Sequence, residues 1–212
     1  MVDLHCHILP GLDDGAKTIE ESLAMAETAI ADGITHVVAT PHANSEHGFD
    51  FARVRAARDE LQSRVGDRLQ IATGCDFHLN PENVAALKTS PAQFCLNQKD
   101  YLLVEFNEFS IPPAMDQMLH HLHLAGLRPI VTHPERNGIL RAQPERLARW
   151  AASRRDRPKV AIFTDQLGRW QSGSDVEDVE SVLKLVSEAK QTASTIASSF
   201  ADMFENTAKE AR

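Results

Sequence analysis

Short apolar runs alternate with amphipathic segments along most of the chain. Runs rich in β-branched and aromatic residues, such as residues 34–40 (ITHVVAT) and 101–106 (YLLVEF), predict buried strands. Between such runs, apolar residues recur at helical spacing, as Leu23, Ala26 and Ile30 do. Strands that alternate with helices are typical of an α/β fold with a mainly parallel sheet.

The individual elements can be placed from this pattern and from turn residues. The predicted strands cover residues 1–8, 34–40, 69–73, 101–106 and 129–132, and residues 160–163 form a further strand-like run. The predicted helices cover residues 18–32, 51–65, 83–88, 113–125 and 144–152. Thr18 and Glu21 have the spacing of a capping box at the start of the first helix, and Gly33 follows its end.

Metal-type ligands follow these predicted strands where each strand ends. Because the carboxyl ends of parallel strands meet at one edge, we expect these side chains to lie close together. Alternate strand residues share a face, so a His-x-His pair can bind one ion. Mixed nitrogen and oxygen ligands suit manganese, iron, zinc or cobalt better than calcium. In chain order the candidates are His5, His7, His42, Asp76, Glu105 and His133.

Each of these features is also common outside metal sites when it is taken alone. A His-x-His pair can simply end a strand, Asp13-Asp14-Gly15 can simply form a turn, and a single histidine such as His42 is usually a surface or packing residue. Their recurrence at five strand ends is what favours a metal site. One carboxylate of the Asp-Asp-Gly turn could then reach a neighbouring ion, and Arg136 could clamp a phosphate by its planar guanidinium.

Composition narrows the class of protein. The chain has 212 residues and a net charge of −8, and an acidic surface of this kind argues against general nucleic-acid binding. Its three scattered cysteines form no disulfide framework, so we expect a cytoplasmic protein. The first residues do not resemble a signal peptide, and no apolar run is long enough for membrane insertion.

Several other hydrolase mechanisms lack their sequence signatures. A cysteine-dependent phosphatase needs an arginine six residues after its cysteine, but Leu12, Pro81 and Tyr101 stand six residues after Cys6, Cys75 and Cys95. The chain contains no G-x-S-x-G motif, no P-loop and no G-x-G-x-x-G motif. Serine hydrolases and the common nucleotide-binding folds are therefore not supported.

Five segments together resemble a known superfamily. They are MVDLHCHILPGLDDG, VVATPHA, IATGCDFHL, LLVEF and PIVTHPERN, in this order. These segments are similar to motifs of the PHP (polymerase and histidinol phosphatase) phosphoesterases. More closely, they resemble the bacterial tyrosine-protein phosphatases of capsule and exopolysaccharide loci, the CpsB/YwqE type.

The resemblance implies a distorted (β/α) TIM-like barrel of the PHP type. It also implies two or three divalent metal ions per chain, typically manganese, and hydrolysis of phosphotyrosine by a metal-activated hydroxide. The implied protein substrate is a bacterial tyrosine kinase of polysaccharide export. Histidinol phosphate is the alternative among small phosphomonoesters. The sequence itself leaves the oligomeric state open.

The resemblance also assigns roles to single residues of this chain. His5 and His7 would bind the first ion, Glu105 and His133 the second, and His42 with Asp14 the third. Asp76 stands where the family usually has a bridging glutamate. Arg136 would bind the substrate phosphate, so Arg136 and Asp76 are the candidate catalytic residues.

The last part of the chain departs from the family pattern. Family members carry a late Asp-x-His motif, whereas no histidine follows His133 here, and Asp165 is a weak candidate for the lost aspartate. We therefore predict a PHP-type body over residues 1–152 and a divergent, mainly helical segment over 153–212 that completes the barrel, packs on the body or leaves the barrel incomplete. A catalytically weak or inactive partner-binding protein is the competing hypothesis.

Overall fold

The computed structural model describes residues 1–107, 110–111, 113–151 and 161–163. Most of these residues fall into two compact units, one from Met1 to Leu103 and one that starts at Val104. Asp165, the charged segment 153–158 and the predicted C-terminal helices lie outside the described residues. The division into a body over residues 1–152 and a tail over 153–212 stays a prediction.

The described strands are short and follow the predicted runs closely. Two further strands, of two and three residues, were not predicted, and both carry candidate ligands. In chain order the strands are β1 Val2–Cys6, β2 His36–Ala39, β3 His42–Ala43, β4 Gln70–Thr73, β5 Asp76–His78, β6 Tyr101–Glu105, β7 Arg128–Thr132 and β8 Ala161–Phe163.

The described helices also follow the prediction, with one additional short helix after β7. They are α1 Ile19–Ala31, α2 Phe51–Val65, α3 Pro81–Thr89, α4 Met115–Leu124, α5 Gly138–Arg141 and α6 Pro144–Ala151. Thr18 caps α1 as predicted, because its side chain accepts a hydrogen bond from the Glu21 N–H. The Glu21 carboxylate, however, accepts from the Lys17 N–H instead of closing the capping box at Thr18.

Parallel pairing organises the first unit. The strand order is β1-β2-β4, with β2 paired in parallel to both neighbours. A second parallel pair joins β3 to β5 and sets His42 opposite Asp76. Strands that pair in parallel end at the same edge as their partners. His5 lies near the end of β1, whereas His42 and Asp76 are the first residues of β3 and β5, just after β2 and β4 end.

Apolar side chains from α1, α2 and this sheet form the core of the first unit. Ala26, Leu61 and Leu69 are fully buried, as is Val37 on β2, and Ile71 on β4 packs in the same cluster. Burying these side chains fixes the helices against one face of the sheet. The ligand-bearing strand ends are thereby held by a packed layer beneath them.

In the second unit, a side-chain hydrogen bond joins helices α4 and α6. The indole N–H of Trp150 on α6 donates to the Asp116 carboxylate on α4 at 2.6 Å. The Trp150 ring also packs against Phe106 with the ring centroids 5.9 Å apart. Strand β8 pairs in parallel with β7, with Ala161 opposite Ile130.

The predicted fold class is confirmed at the level of an α/β protein with parallel sheets. The strands in the described part of the chain do not form a closed barrel. The TIM-like PHP barrel therefore stays a prediction. None of the helices that the structure describes has the length and apolar character that a membrane span requires.

Leu61 tests the core of the first unit. Because this side chain is fully buried, Leu61→Ala should lower the free energy of unfolding by about 2–5 kcal/mol. Leu124 is 69% exposed, so Leu124→Ala should change it by less than about 0.5 kcal/mol. Urea unfolding followed by circular dichroism measures both, and equal effects would contradict the assignment of the core.

Candidate metal centre

The pairing of β1 with β2 shifts register beside His5, near the end of β1. Asp3 pairs with Val37 and Cys6 pairs with Ala39, so β1 carries one more residue than β2 over this interval. The Asp3 carboxylate accepts a hydrogen bond from the His5 N–H at 3.1 Å. Asp3 thus satisfies the His5 N–H at the point where the β1–β2 register shifts. Burial raises the pKa of Asp3, against the opposing effect of this hydrogen bond.

The predicted His-x-His pair meets the Asp76 carboxylate. The Nε2 atoms of His5 and His7 lie 3.1 Å apart, and His5 Nε2 lies 3.3 Å from Asp76 Oδ2. The Asp76 side chain is fully buried. A buried carboxylate is costly unless it is paired or binds a cation, so imidazole partners are the expected surroundings.

A second group of ligand atoms shares His7 with the first. His42 Nε2 lies 3.5 Å from Asp14 Oδ1, and His7 Nδ1 lies 3.9 Å from the same oxygen. His42 Nδ1 also lies 3.6 Å from Asp76 Oδ2, as the pairing of β3 with β5 requires. The Asp14 side chain is 70% exposed, which leaves this group open to solvent.

The Asp-Asp-Gly turn folds back against His7. A side chain at Gly15 would collide with His7, because a Cβ there would overlap the His7 carbonyl oxygen and lie 2.5 Å from the His7 Cβ. Glycine at this position lets the turn approach the ligand strand closely. The approach brings Asp13 and Asp14 beside the His7 ring.

Asp13 keeps its negative charge at the site. Burial would raise the pKa of this carboxyl, but hydrogen bonds from the His7 ring and from the Gly15 and His42 N–H groups outweigh that effect and lower the pKa to about 2. An ionised carboxylate beside a ligand histidine is typical of metal sites, where it orients the imidazole.

The second unit brings together the other predicted ligand pair. His133 Nε2 lies 3.7 Å from Glu105 Oε1. His133 has a positive backbone angle, φ 26° with ψ 57°, which is unusual for a residue with a side chain. Strain of this kind clusters at functional sites, and it points to a role for His133 beyond packing.

Arg136 belongs to the surroundings of this pair. A small open pocket is lined by Glu105, His133 and Arg136, together with four neighbouring residues. The buried Asn137 amide donates to the Asn107 carbonyl oxygen at 2.6 Å and so joins the loop after β6 to the turn after β7. Arg136 therefore lines the same pocket as Glu105 and His133.

The donor atoms of the first unit fit a divalent cation. The ligand atoms of His5, His7 and Asp76 all lie within 4.8 Å of one another, and so do those of His7, Asp14 and His42. Imidazole nitrogens and carboxylate oxygens that converge in this way would repel one another or demand protons, and a metal ion relieves both effects. This donor set suits manganese, iron, cobalt or zinc.

Sequence reasoning found the ligand candidates but did not single out three residues beside them. The Asp13 carboxylate contacts His7, the His47 ring stacks on His42 with centroids 5.9 Å apart, and the His78 ring meets His42 edge-on at 6.3 Å. A signal for His78 was present, because it stands two residues after Asp76 and so shares its strand face. His120, His121 and His123 on α4 are exposed.

The fold and the site together define an α/β protein with a candidate multinuclear metal centre at the ends of parallel strands. The family model described as capsular polysaccharide synthesis, CpsB/CapC, matches residues 1–152. The chain belongs to this family, and the resemblance seen in the five sequence motifs is confirmed.

Individual relatives agree with the family. The tyrosine-protein phosphatase YwqE of Bacillus subtilis (strain 168) is 36% identical over 151 residues, which are 69% of this chain and 59% of the relative. The tyrosine-protein phosphatase CpsB of Streptococcus agalactiae serotype V is 29% identical over 152 residues, 69% of this chain and 62% of the relative.

A solved structure supports the fold. It comes from crystal structures of YwqE from Bacillus subtilis and CpsB from Streptococcus pneumoniae, described as unique metal-dependent tyrosine phosphatases. The similarity has a TM-score of 0.64 at 35% identity and covers 70% of this chain and 62% of that chain. The chain thus spans about three fifths of the length of the relatives that it matches.

Gly15 offers a test of how the Asp-Asp-Gly turn is held. Gly15→Ala should lower the free energy of unfolding by about 1–3 kcal/mol and weaken Mn²⁺ binding, because the added Cβ must push the turn away from His7. Gly48→Ala is the matched control, since a Cβ there meets nothing within 4 Å. Thermal unfolding and Mn²⁺ titration of both variants provide the comparison. Wild-type metal affinity in Gly15→Ala would contradict the close approach.

Proposed function

We propose that this chain hydrolyses phosphomonoesters with the help of divalent metal ions and that its substrate is phosphotyrosine in proteins. The observation that carries the proposal is the overlap of two ligand groups at His7, one with His5 and Asp76 and the other with Asp14 and His42. The names of the relatives supply the reaction class.

The proposed metal ligands are seven residues with nitrogen or oxygen donors. Those of the first unit are His5, His7, Asp14, His42 and Asp76, and those of the second unit are Glu105 and His133. We propose Mn²⁺ as the metal, with iron, cobalt or zinc as substitutes, and two or three ions per chain. A bound cation of this kind lowers the pKa of water and polarises a phosphoryl oxygen.

The protein side chains have separate tasks in this proposal. Arg136 lines the pocket beside Glu105 and His133 and would bind the substrate phosphate through its planar guanidinium. The buried Asp76 carboxylate lies within 3.6 Å of both His5 and His42, so it would be shared between ligand groups. Asp76 and Arg136 are therefore the residues proposed to act most directly on catalysis.

The proposed partner is a phosphotyrosine protein, specifically a bacterial tyrosine kinase that governs polysaccharide export. Support comes from the family description, which names capsular polysaccharide synthesis, and from relatives named tyrosine-protein phosphatases. The proposed compartment is the cytoplasm.

Removal of one ligand from either unit should abolish turnover. We expect chelator-treated wild-type protein to regain p-nitrophenyl phosphate hydrolysis when Mn²⁺ is added, and His5→Ala and His133→Ala to lose it. His121→Ala is the control, because His121 is an exposed histidine of α4. Iodoacetamide should not inhibit, since Cys75 is buried and burial raises the pKa of the Cys6 and Cys95 thiols to about 12.

Two results would change the proposal. Full activity in His5→Ala or His133→Ala would contradict the assigned ligands. The absence of turnover with Mn²⁺, Fe²⁺, Co²⁺ and Zn²⁺ would favour the partner-binding protein. A higher rate with histidinol phosphate than with phosphotyrosine peptides would favour the small-substrate phosphatase.

Arg136 should affect substrate binding more than metal binding. Arg136→Ala removes a charged hydrogen-bond donor worth about 1.5–3 kcal/mol, so kcat/KM should fall by about 10-fold to 100-fold. Arg136→Lys should recover part of this loss, because it restores the charge but not the planar pair of donors. The exposed Arg53 on α2 gives the control variant, Arg53→Ala. Unchanged kcat/KM in Arg136→Ala would exclude Arg136 from phosphate binding.

A further inference from the structure

The Asp13 carboxylate contacts two of the proposed ligands, His7 and His42. Asp13 Oδ2 lies 2.6 Å from His7 Nδ1 and accepts from the His42 backbone N–H at 3.0 Å, while Asp13 Oδ1 accepts from the Gly15 N–H at 2.9 Å. The Asp13 side chain is 1% exposed. We propose that Asp13 is a positioning residue that orients the His7 ring for metal binding and couples His7 to His42.

The contact to His7 decides which ring nitrogen carries the proton. An ionised carboxylate can only accept, so the short contact from Oδ2 places a hydrogen on His7 Nδ1. A neutral imidazole with hydrogen on Nδ1 has its lone pair on Nε2. His7 Nε2 is the atom that lies 3.1 Å from His5 Nε2, within the first ligand group. Asp13 thereby presents a ready donor atom to the ion.

The contact to His42 joins the two ligand groups. With hydrogen on Nδ1, His7 would bind an ion only through Nε2, in the first group, whereas His42 belongs to the second group; the two ring centroids lie 4.5 Å apart. Because the same Asp13 oxygen accepts from both residues, a movement of the turn shifts the His7 ring and the His42 backbone together. Asp13 therefore fixes the distance between ligands that would serve different ions.

Variants that change the charge or the number of acceptor oxygens at position 13 can distinguish a positioning role of Asp13 from simple packing. Asparagine has nearly the same shape as aspartate, but it has one acceptor oxygen where Asp13 uses two, and it is neutral. Glutamate keeps the charge and both oxygens on a longer chain. If Asp13 acts by orienting His7, the glutamate variant should recover more metal affinity than the asparagine variant.

The first test needs no metal. Long-range ¹H–¹⁵N correlation spectra of the metal-free, full-length chain, recorded above the ordinary pKa of histidine, distinguish the two neutral forms of the His7 ring. We expect hydrogen on Nδ1 in the wild type and a shift toward hydrogen on Nε2 in Asp13→Asn. A wild-type His7 ring with hydrogen on Nε2 would overturn the inference.

The second test measures affinity for Mn²⁺, and it rests on the metal centre of the proposed function. Free Mn²⁺ is followed by electron paramagnetic resonance during titration of the wild type, Asp13→Asn, Asp13→Glu and Asp67→Asn. Loss of a carboxylate behind a ligand histidine typically weakens metal binding about 10-fold to 100-fold, and we expect this for Asp13→Asn. Asp67 is exposed and precedes β4, at the opposite end of that strand from the ligands, so Asp67→Asn should bind like the wild type.

The outcomes separate the two proposals. Wild-type affinity in Asp13→Asn, with Mn²⁺ bound by the wild type, overturns the positioning role and leaves the metal centre intact. A wild-type chain that binds no Mn²⁺ overturns both. Equal losses of affinity in Asp13→Asn and Asp13→Glu, with equal losses of thermal stability, would reduce Asp13 to a structural role.

Discussion

Parallel hydrogen bonding between short strands is the constraint on which the candidate metal centre of the first unit depends. Because β1, β2 and β4 run in the same direction, their carboxyl ends share one edge, and the loops that leave it start close together. The pairing of β3 with β5 adds a finer constraint and sets His42 opposite Asp76. The packed layer of α1 and α2 makes this edge rigid enough to hold polar groups that repel one another.

The sequence predicted most of the strands and helices that the structure describes, and it predicted that candidate ligands from several strand ends would lie close together. Apolar periodicity found the helices, as for α2, where the predicted and observed bounds are both 51–65. The predicted strand 101–106 contained Glu105 as a candidate ligand, and the structure ends β6 at this residue. The ligands of the first unit were accessible to the same reasoning, since strand ends in a parallel sheet are neighbours wherever the strands lie in the sequence.

The sequence could not predict the shortest strands, the extra residue in β1 or the separate roles of Asp13 and Asp14, because each depends on contacts that form only in the folded chain. Strands as short as β3 have no periodicity to detect, and the extra residue in β1 is visible only against its partner β2. Asp13 and Asp14 are chemically identical and adjacent, so only the fold of the turn decides which one supports His7 from behind and which one faces solvent. Whether a barrel closes depends on all of its strands. The family motifs cover only part of this chain, so the sequence alone could not predict closure.

The backbone of His133 has a consequence for how such a protein can change. A left-handed conformation costs a residue with a side chain about 1–3 kcal/mol, whereas glycine adopts it freely and asparagine adopts it more easily than most residues. Selection for thermal stability alone would therefore favour the loss of this histidine. A laboratory evolution experiment that rewards only heat resistance should drift toward glycine at position 133, and stabilised descendants obtained in that way would be folded but deprived of a proposed ligand.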